Sequence, residues 1–72
     1  MVKLYSNNCP KCRILKDRLD KNKIEYVKSD NFLKLIENDI SSVPVIELEN
    51  GELLLFDEAY DWIFNTVKER AN

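Results

Sequence analysis

The two cysteines of the segment Asn8-Cys9-Pro10-Lys11-Cys12-Arg13 are the residues whose type and spacing could do chemistry. The segment follows directly on the apolar run Val2-Lys3-Leu4-Tyr5, so the pair falls where a strand hands over to a helix. A sulfur at a helix N-terminus faces backbone N–H groups with no intrahelical partner and the positive end of the helix dipole. Both favour thiolate over thiol. The chemistry this arrangement predicts is thiol–disulfide exchange, with Cys9 the more acidic sulfur.

Each position in the motif has a physical use. Cys9 falls at the N-cap, where its sulfur can accept from the amide of Lys11 or Cys12. Pro10 falls at the first helical position, where its fixed φ suits the helix and its missing N–H costs nothing. Cys12 lies three residues on, on the same face, within covalent reach of Cys9 but shielded by the helix turn behind it. Cys9 is therefore the expected nucleophile and Cys12 the resolving thiol. Lys11 and Arg13 add positive charge beside the thiolate, an effect that salt screens. A rival reading makes the two thiolates half of a zinc or iron–sulfur site. Tetrahedral zinc wants four ligands, and with no histidine and no second cysteine pair only carboxylates or a second copy of the chain could complete the set. The expectation is that no metal is held.

Composition sets the frame. At 72 residues and 44% hydrophobic, the chain reads as a single domain over 1–72, a size that buries roughly 60% of the unfolded surface and leaves a modest stability margin. A disulfide between Cys9 and Cys12 closes so short a loop that it restrains the unfolded chain weakly, so the pair is poorly placed as a structural staple. With 11 basic and 13 acidic side chains and net charge −2, nothing indicates a nucleic-acid surface. The sequence shows no charged-then-apolar leader and no long apolar span. The expectation is a soluble, cytoplasmic monomer with no membrane partner.

Strand and helix periods alternate along the chain. Residues 2 to 5 read as a strand and Pro10 to about Asn22 as a helix, with Ile14, Leu15 and Leu19 on its inner face. Ile24 to Val27 reads as a second strand, joined to the first by a right-handed parallel crossover. Ser29 and Asp30 offer N-cap oxygens to a short helix carrying Phe32, Leu33, Leu35 and Ile36. Val43 to Leu48 and Glu52 to Phe56 read as an antiparallel pair around Glu49-Asn50-Gly51, where the chain's one glycine can supply a positive φ. Asp57 caps a last helix with Ala59, Tyr60, Ile63, Phe64 and Val67 at helical spacing. The order is βαβαββα, an α/β fold.

That order, a strand ending in Cys-Pro-x-Cys, and Ser42-Val43-Pro44 just before the hairpin together resemble the glutaredoxin and thioredoxin family, most closely the small glutaredoxin-like redoxins. The resemblance spans essentially the whole chain. It implies a thioredoxin-like, glutaredoxin-type fold, a four-stranded mixed sheet flanked by helices, and a cis peptide before Pro44 beside the cysteine pair. In that place the Val43 backbone groups can pair with an extended peptide or with glutathione and hold a substrate sulfur over Cys9. The substrate-binding set the resemblance implies is Tyr5, Pro10, Lys11, Val43, Pro44 and Asp57, with packing of the sheet as the plainer role for Tyr5 and helix capping for Asp57.

The resemblance further implies disulfide-containing protein substrates, ribonucleotide reductase among them. Electrons would come from glutathione as co-substrate or from a thioredoxin reductase, and no bound cofactor is implied. The sequence departs from the glutaredoxin pattern where a Gly-Gly pair precedes the aromatic residue and the acid. Those positions here read Leu54-Leu55, then Phe56 and Asp57. Glycines there let backbone approach glutathione closely, whereas leucines obstruct the tripeptide or line an apolar groove. Asn7 and Asn8 also stand where a basic residue often meets a glutathione carboxylate.

Overall fold

The computed structural model describes residues 1–71. It contains β1 (Val2–Tyr5), α1 (Pro10–Lys21), β2 (Tyr26–Ser29), α2 (Leu33–Glu37), β3 (Val45–Glu47), β4 (Leu53–Leu54) and α3 (Phe56–Ala71). The four strands form one mixed sheet in the order β2-β1-β3-β4. β1 runs parallel to β2 and antiparallel to β3, and β3 pairs antiparallel with β4. No helix among the described residues is long and apolar enough to cross a membrane.

The two-residue period of the strands sorts side chains between the faces of the sheet. Val2, Leu4, Ile46 and Leu54 turn to one face and pack with Leu15 and Leu19 of α1 and Ala59 and Ile63 of α3. Tyr5 and Val45 turn to the other face and meet Leu35 of α2, with Phe32, Ile40, Val43 and Leu53 around them. Helices thus cover both faces, and Leu4, Leu15, Leu19, Val45 and Ile46 are wholly buried. This double cover fixes the end of β1, and with it the point where α1 begins.

Several elements differ from the sequence-based expectation, each for a local reason. Ile24 does not start β2. Its N–H bonds to Leu19 O at 2.9 Å while Lys23 N–H bonds to Asp20 O at 3.1 Å, and Lys23 takes φ +57°. This is a Schellman C-cap with lysine in the left-handed position, and Ile24 is its buried hydrophobic contact. The strand therefore begins two residues later. The same motif ends α2, with Asp39 at φ +58° and Ile40 N–H on Leu35 O at 2.8 Å.

Ser29 and Asp30 do not cap α2. Ser29 closes β2 and accepts from Asn31 N–H at 3.2 Å, and Asn31 in turn accepts from Leu33 N–H at 3.2 Å. Phe56 leaves the hairpin and opens α3, with the Leu55 carbonyl accepting from Ala59 N–H at 2.7 Å. Asp57 consequently lies inside the first turn of α3 rather than at its cap. Its charge still faces the positive end of the helix dipole. The hairpin turn forms as expected, with Gly51 at φ +91° and its N–H on Leu48 O.

The inner face of α1 is Cys12, Leu15 and Leu19, and Ile14 is left 44% exposed. On α3 the buried stripe narrows to Ala59 and Ile63, and Tyr60 and Phe64 stand at the surface. A helix lying on a single sheet buries a narrower arc than the apolar residues at its 3.6 period would allow.

Candidate functional site

The site is built where the end of β1, the start of α1 and the loop before β3 converge. Cys9 has extended backbone geometry, φ −71° and ψ 164°, and Pro10 begins the helix behind it. The Cys9 carbonyl accepts from Arg13 N–H at 3.0 Å, and the Cys9 sulfur accepts from Cys12 N–H at 3.2 Å. Cys9 is thus the N-cap in the full sense, with a sulfur in place of the usual oxygen. Cys9 is half-buried and Cys12 is only 2% exposed. One sulfur can be reached from outside, and the other stands behind it.

A third residue organises the loop. Asn7 Oδ1 accepts from Cys9 N–H at 3.2 Å and lies 3.7 Å from Cys12 Sγ, in reach of its S–H. Asn8 between them takes φ +68°, a left-handed conformation that asparagine tolerates better than most residues. Asn7 was not among the residues expected to form the site. The signal for it is an asparagine two residues before an N-cap, the spacing of an Asx turn.

The loop before β3 completes the site. The Val43–Pro44 peptide is cis, Pro44 is buried, and the Val43 carbonyl oxygen stands 3.9 Å from Cys9 Sγ. Residues 34 positions apart in sequence are brought together by the antiparallel pairing of β1 with β3, in which Tyr5 lies opposite Val45.

The electrostatics separate the two thiols. Burial acts to raise the Cys9 thiol. Donation from the Cys12 thiol and from the backbone amides of Cys12, Lys11 and Cys9 outweighs it, so Cys9 lies below the ordinary thiol value. Burial raises the Cys12 thiol, and its hydrogen bond to Cys9 and the Cys9 charge add to the rise. The contribution of Lys11 runs through its backbone amide. Its ammonium sits 5.2 Å from the centre of the Phe56 ring, a cation–π contact that ties the start of α1 to the start of α3.

Of the remaining candidates, Pro10 is exposed at the first turn beside Cys9. Asp57 lines a shallow groove between α1 and α3 with Ile14, Arg18, Phe56, Tyr60 and Asp61. Tyr5 is not at the thiols. It is 3% exposed on the α2 face of the sheet, and its hydroxyl donates to Glu47 Oε1 at 2.6 Å. Burial, together with that bond, pushes the hydroxyl up to about 12. The strand alternation that turns Leu4 toward α1 turns Tyr5 away from it, into the α2-side cluster with Leu35 and Val45. Of the leucine pair, Leu54 is core and Leu55 is 40% exposed.

Among the described residues, no group of three or more His, Cys, Asp or Glu side chains is placed to hold a metal ion. No protein-family profile, curated protein or solved structure matches this chain.

Proposed function

We propose that this chain is a thiol–disulfide oxidoreductase of thioredoxin-like, glutaredoxin-type architecture, reducing disulfides through Cys9 and Cys12. The observation that carries the reading is the asymmetry of the pair. Cys9 is an accessible N-cap sulfur lowered by donation from the Cys12 thiol and from backbone amides, and Cys12 is a buried thiol raised above its ordinary value. The βαβαββα order and the Val43 carbonyl beside Cys9 support it.

The Cys9 thiolate attacks one sulfur of a substrate disulfide, forms a mixed disulfide and expels the other sulfur as thiolate. Cys12 then loses its proton and attacks the Cys9 sulfur, releasing the second substrate thiolate and leaving a Cys9–Cys12 disulfide. Two electrons have passed to the substrate. The chain is returned to the dithiol by glutathione or by a thioredoxin reductase, a chemistry that belongs to a reducing compartment such as the cytoplasm.

Protein disulfides suit the site better than tightly held glutathione. The Val43 backbone can pair with an extended segment, whereas Leu55 presents a side chain at the surface where glycine would leave bare backbone. A disulfide protein reducing ribonucleotides is one client of this class. The test follows NADPH consumption with a disulfide substrate, using glutathione with glutathione reductase in one arm and thioredoxin reductase in the other. Turnover is expected in at least one arm and is expected to vanish in Cys9→Ser. Silence in both arms, or full activity in Cys9→Ser, overturns the proposal.

A further inference from the structure

We propose that Asn7 is a positioning residue that assigns the proton of the dithiol, its carboxamide oxygen holding the hydrogen on Cys12 so that the negative charge resides on Cys9. The inference rests on the dithiol reading above and deepens it. Asn7 Oδ1 accepts from the Cys9 N–H at 3.2 Å and stands 3.7 Å from Cys12 Sγ, where it shares the single S–H hydrogen of Cys12 with the Cys9 sulfur. The first contact fixes which end of the amide faces the site, because a backbone N–H can be met only by the oxygen. The same oxygen therefore faces Cys12.

A carbonyl oxygen has lone pairs and no hydrogen to give. It stabilises a thiol that donates to it and opposes a thiolate in the same place. Cys9 meets donors from the Cys12, Lys11 and Cys9 amides, which lower it. The balance differs between the sulfurs: at Cys9 the donors outweigh the Val43 carbonyl 3.9 Å away, while Cys12, which also meets the Asn7 and Cys9 amides, has the Asn7 oxygen before it. The charge acting on Cys12 is that of Cys9. Its other influences are burial, the hydrogen bond to the Cys9 sulfur and the backbone amides of Asn7 and Cys9, none of which a side-chain substitution at position 7 removes.

Position 7 also ties this preference to geometry. By bridging the first residue of the motif to its last, Asn7 holds the loop from Ser6 to Asn8 against the start of α1. When Cys9 and Cys12 join, the Cys12 proton is lost and the contact to Oδ1 loses its hydrogen. The reduced state alone keeps the bridge, so Asn7 favours the dithiol over the disulfide.

The test uses the full reduced chain with isotope-labelled cysteine β-carbons, following each thiol by NMR as pH is raised. The variants are Asn7→Ala, which removes the acceptor, and Asn7→Asp, which keeps an oxygen for the Cys9 N–H but adds a negative charge beside Cys12. In Asn7→Ala the thiolate-to-thiol ratio at Cys12 is expected to rise about threefold at fixed pH, the worth of one modest hydrogen bond. In Asn7→Asp that ratio is expected to fall. Opposite shifts in the two variants support the inference. A Cys12 titration unmoved in either folded variant, or shifted the same way in both, overturns it, and Asn7→Asp decides alone where Asn7→Ala does not fold. Disulfide turnover by the unmodified chain is measured alongside. Its absence counts against the oxidoreductase reading, and an unmoved Cys12 in an active protein counts against Asn7 alone.

Discussion

Replacing Cys12 by alanine separates the contributions that lower the Cys9 thiol. The substitution removes the Cys12 thiol, the strongest downward influence on Cys9, and leaves the Cys12 amide at 3.2 Å from the Cys9 sulfur. One hydrogen bond of this kind has a net worth of about 1 kcal/mol, so its loss raises the Cys9 thiol and cuts the thiolate fraction below the midpoint about fivefold. A more basic thiolate is also a better nucleophile, and with a Brønsted slope of about 0.4–0.5 the gain is about twofold. The expected net effect on alkylation is therefore a two- to threefold slowing, roughly, at pH below the midpoint. Above the midpoint the variant reacts faster than the parent, so the two pH–rate curves cross. The assay is the rate of iodoacetamide alkylation of the reduced protein across pH, with circular dichroism confirming the fold. A Cys9 midpoint at or below that of the parent, with no crossing, would refute the assignment of the Cys12 thiol as a donor to Cys9. The same variant is expected to accumulate mixed disulfides, because nothing remains to resolve them.

Two further predictions concern the frame that holds the site. Lys23→Gly relieves a left-handed residue at the C-cap of α1, where φ is +57°, and is expected to raise stability by about 0.5–1 kcal/mol, read as a melting temperature several degrees higher. An unchanged or lower melting temperature would count against the Schellman assignment. Glu47→Gln tests the polar cluster on the α2 face, where the Tyr5 hydroxyl and then the Lys34 ammonium, at 2.6 and 2.9 Å, hold the Glu47 carboxyl below its ordinary value. A depressed carboxyl contributes stability that is present above the ordinary glutamate value of 4.5 and is lost as pH falls through the folded-state value. The variant is expected to be less stable at neutral pH by about 1 kcal/mol and to lose stability less steeply in acid, measured by urea unfolding at several pH values. Parallel pH profiles for variant and parent would exclude the contribution.

Much of the dithiol site was legible because its parts are close in the chain. The N-cap role of Cys9, Pro10 at the start of α1 and the burial of Cys12 three residues on follow from helix geometry over four residues. The bond from the Cys12 amide to the Cys9 sulfur is local too. Asn7 is equally local, yet its sequence signal, one polar residue two places before a cap, is shared by any Asx turn. The errors in the elements arose where a backbone motif and an apolar pattern compete. Ile24 fits a strand by type, but it is consumed by the helix C-cap before it. Phe56 fits the hairpin by type, but it opens α3.

The sequence by itself determined the element order, the place of the thiols at a strand–helix junction and the turn at Gly51, since each depends on the dihedral preferences and side-chain spacing of neighbouring residues. Only the tertiary structure decided which face each strand residue takes and what meets Cys9 from across the fold. The β1–β3 register sends Tyr5 to Glu47 and away from the thiols, and the loop ending in the cis Val43–Pro44 peptide brings the Val43 carbonyl to 3.9 Å from Cys9. Register and loop placement are set by the packing of Leu4, Ile46 and Leu54 against α1 and α3. That burial sums over residues distant in the chain, and no local window contains it.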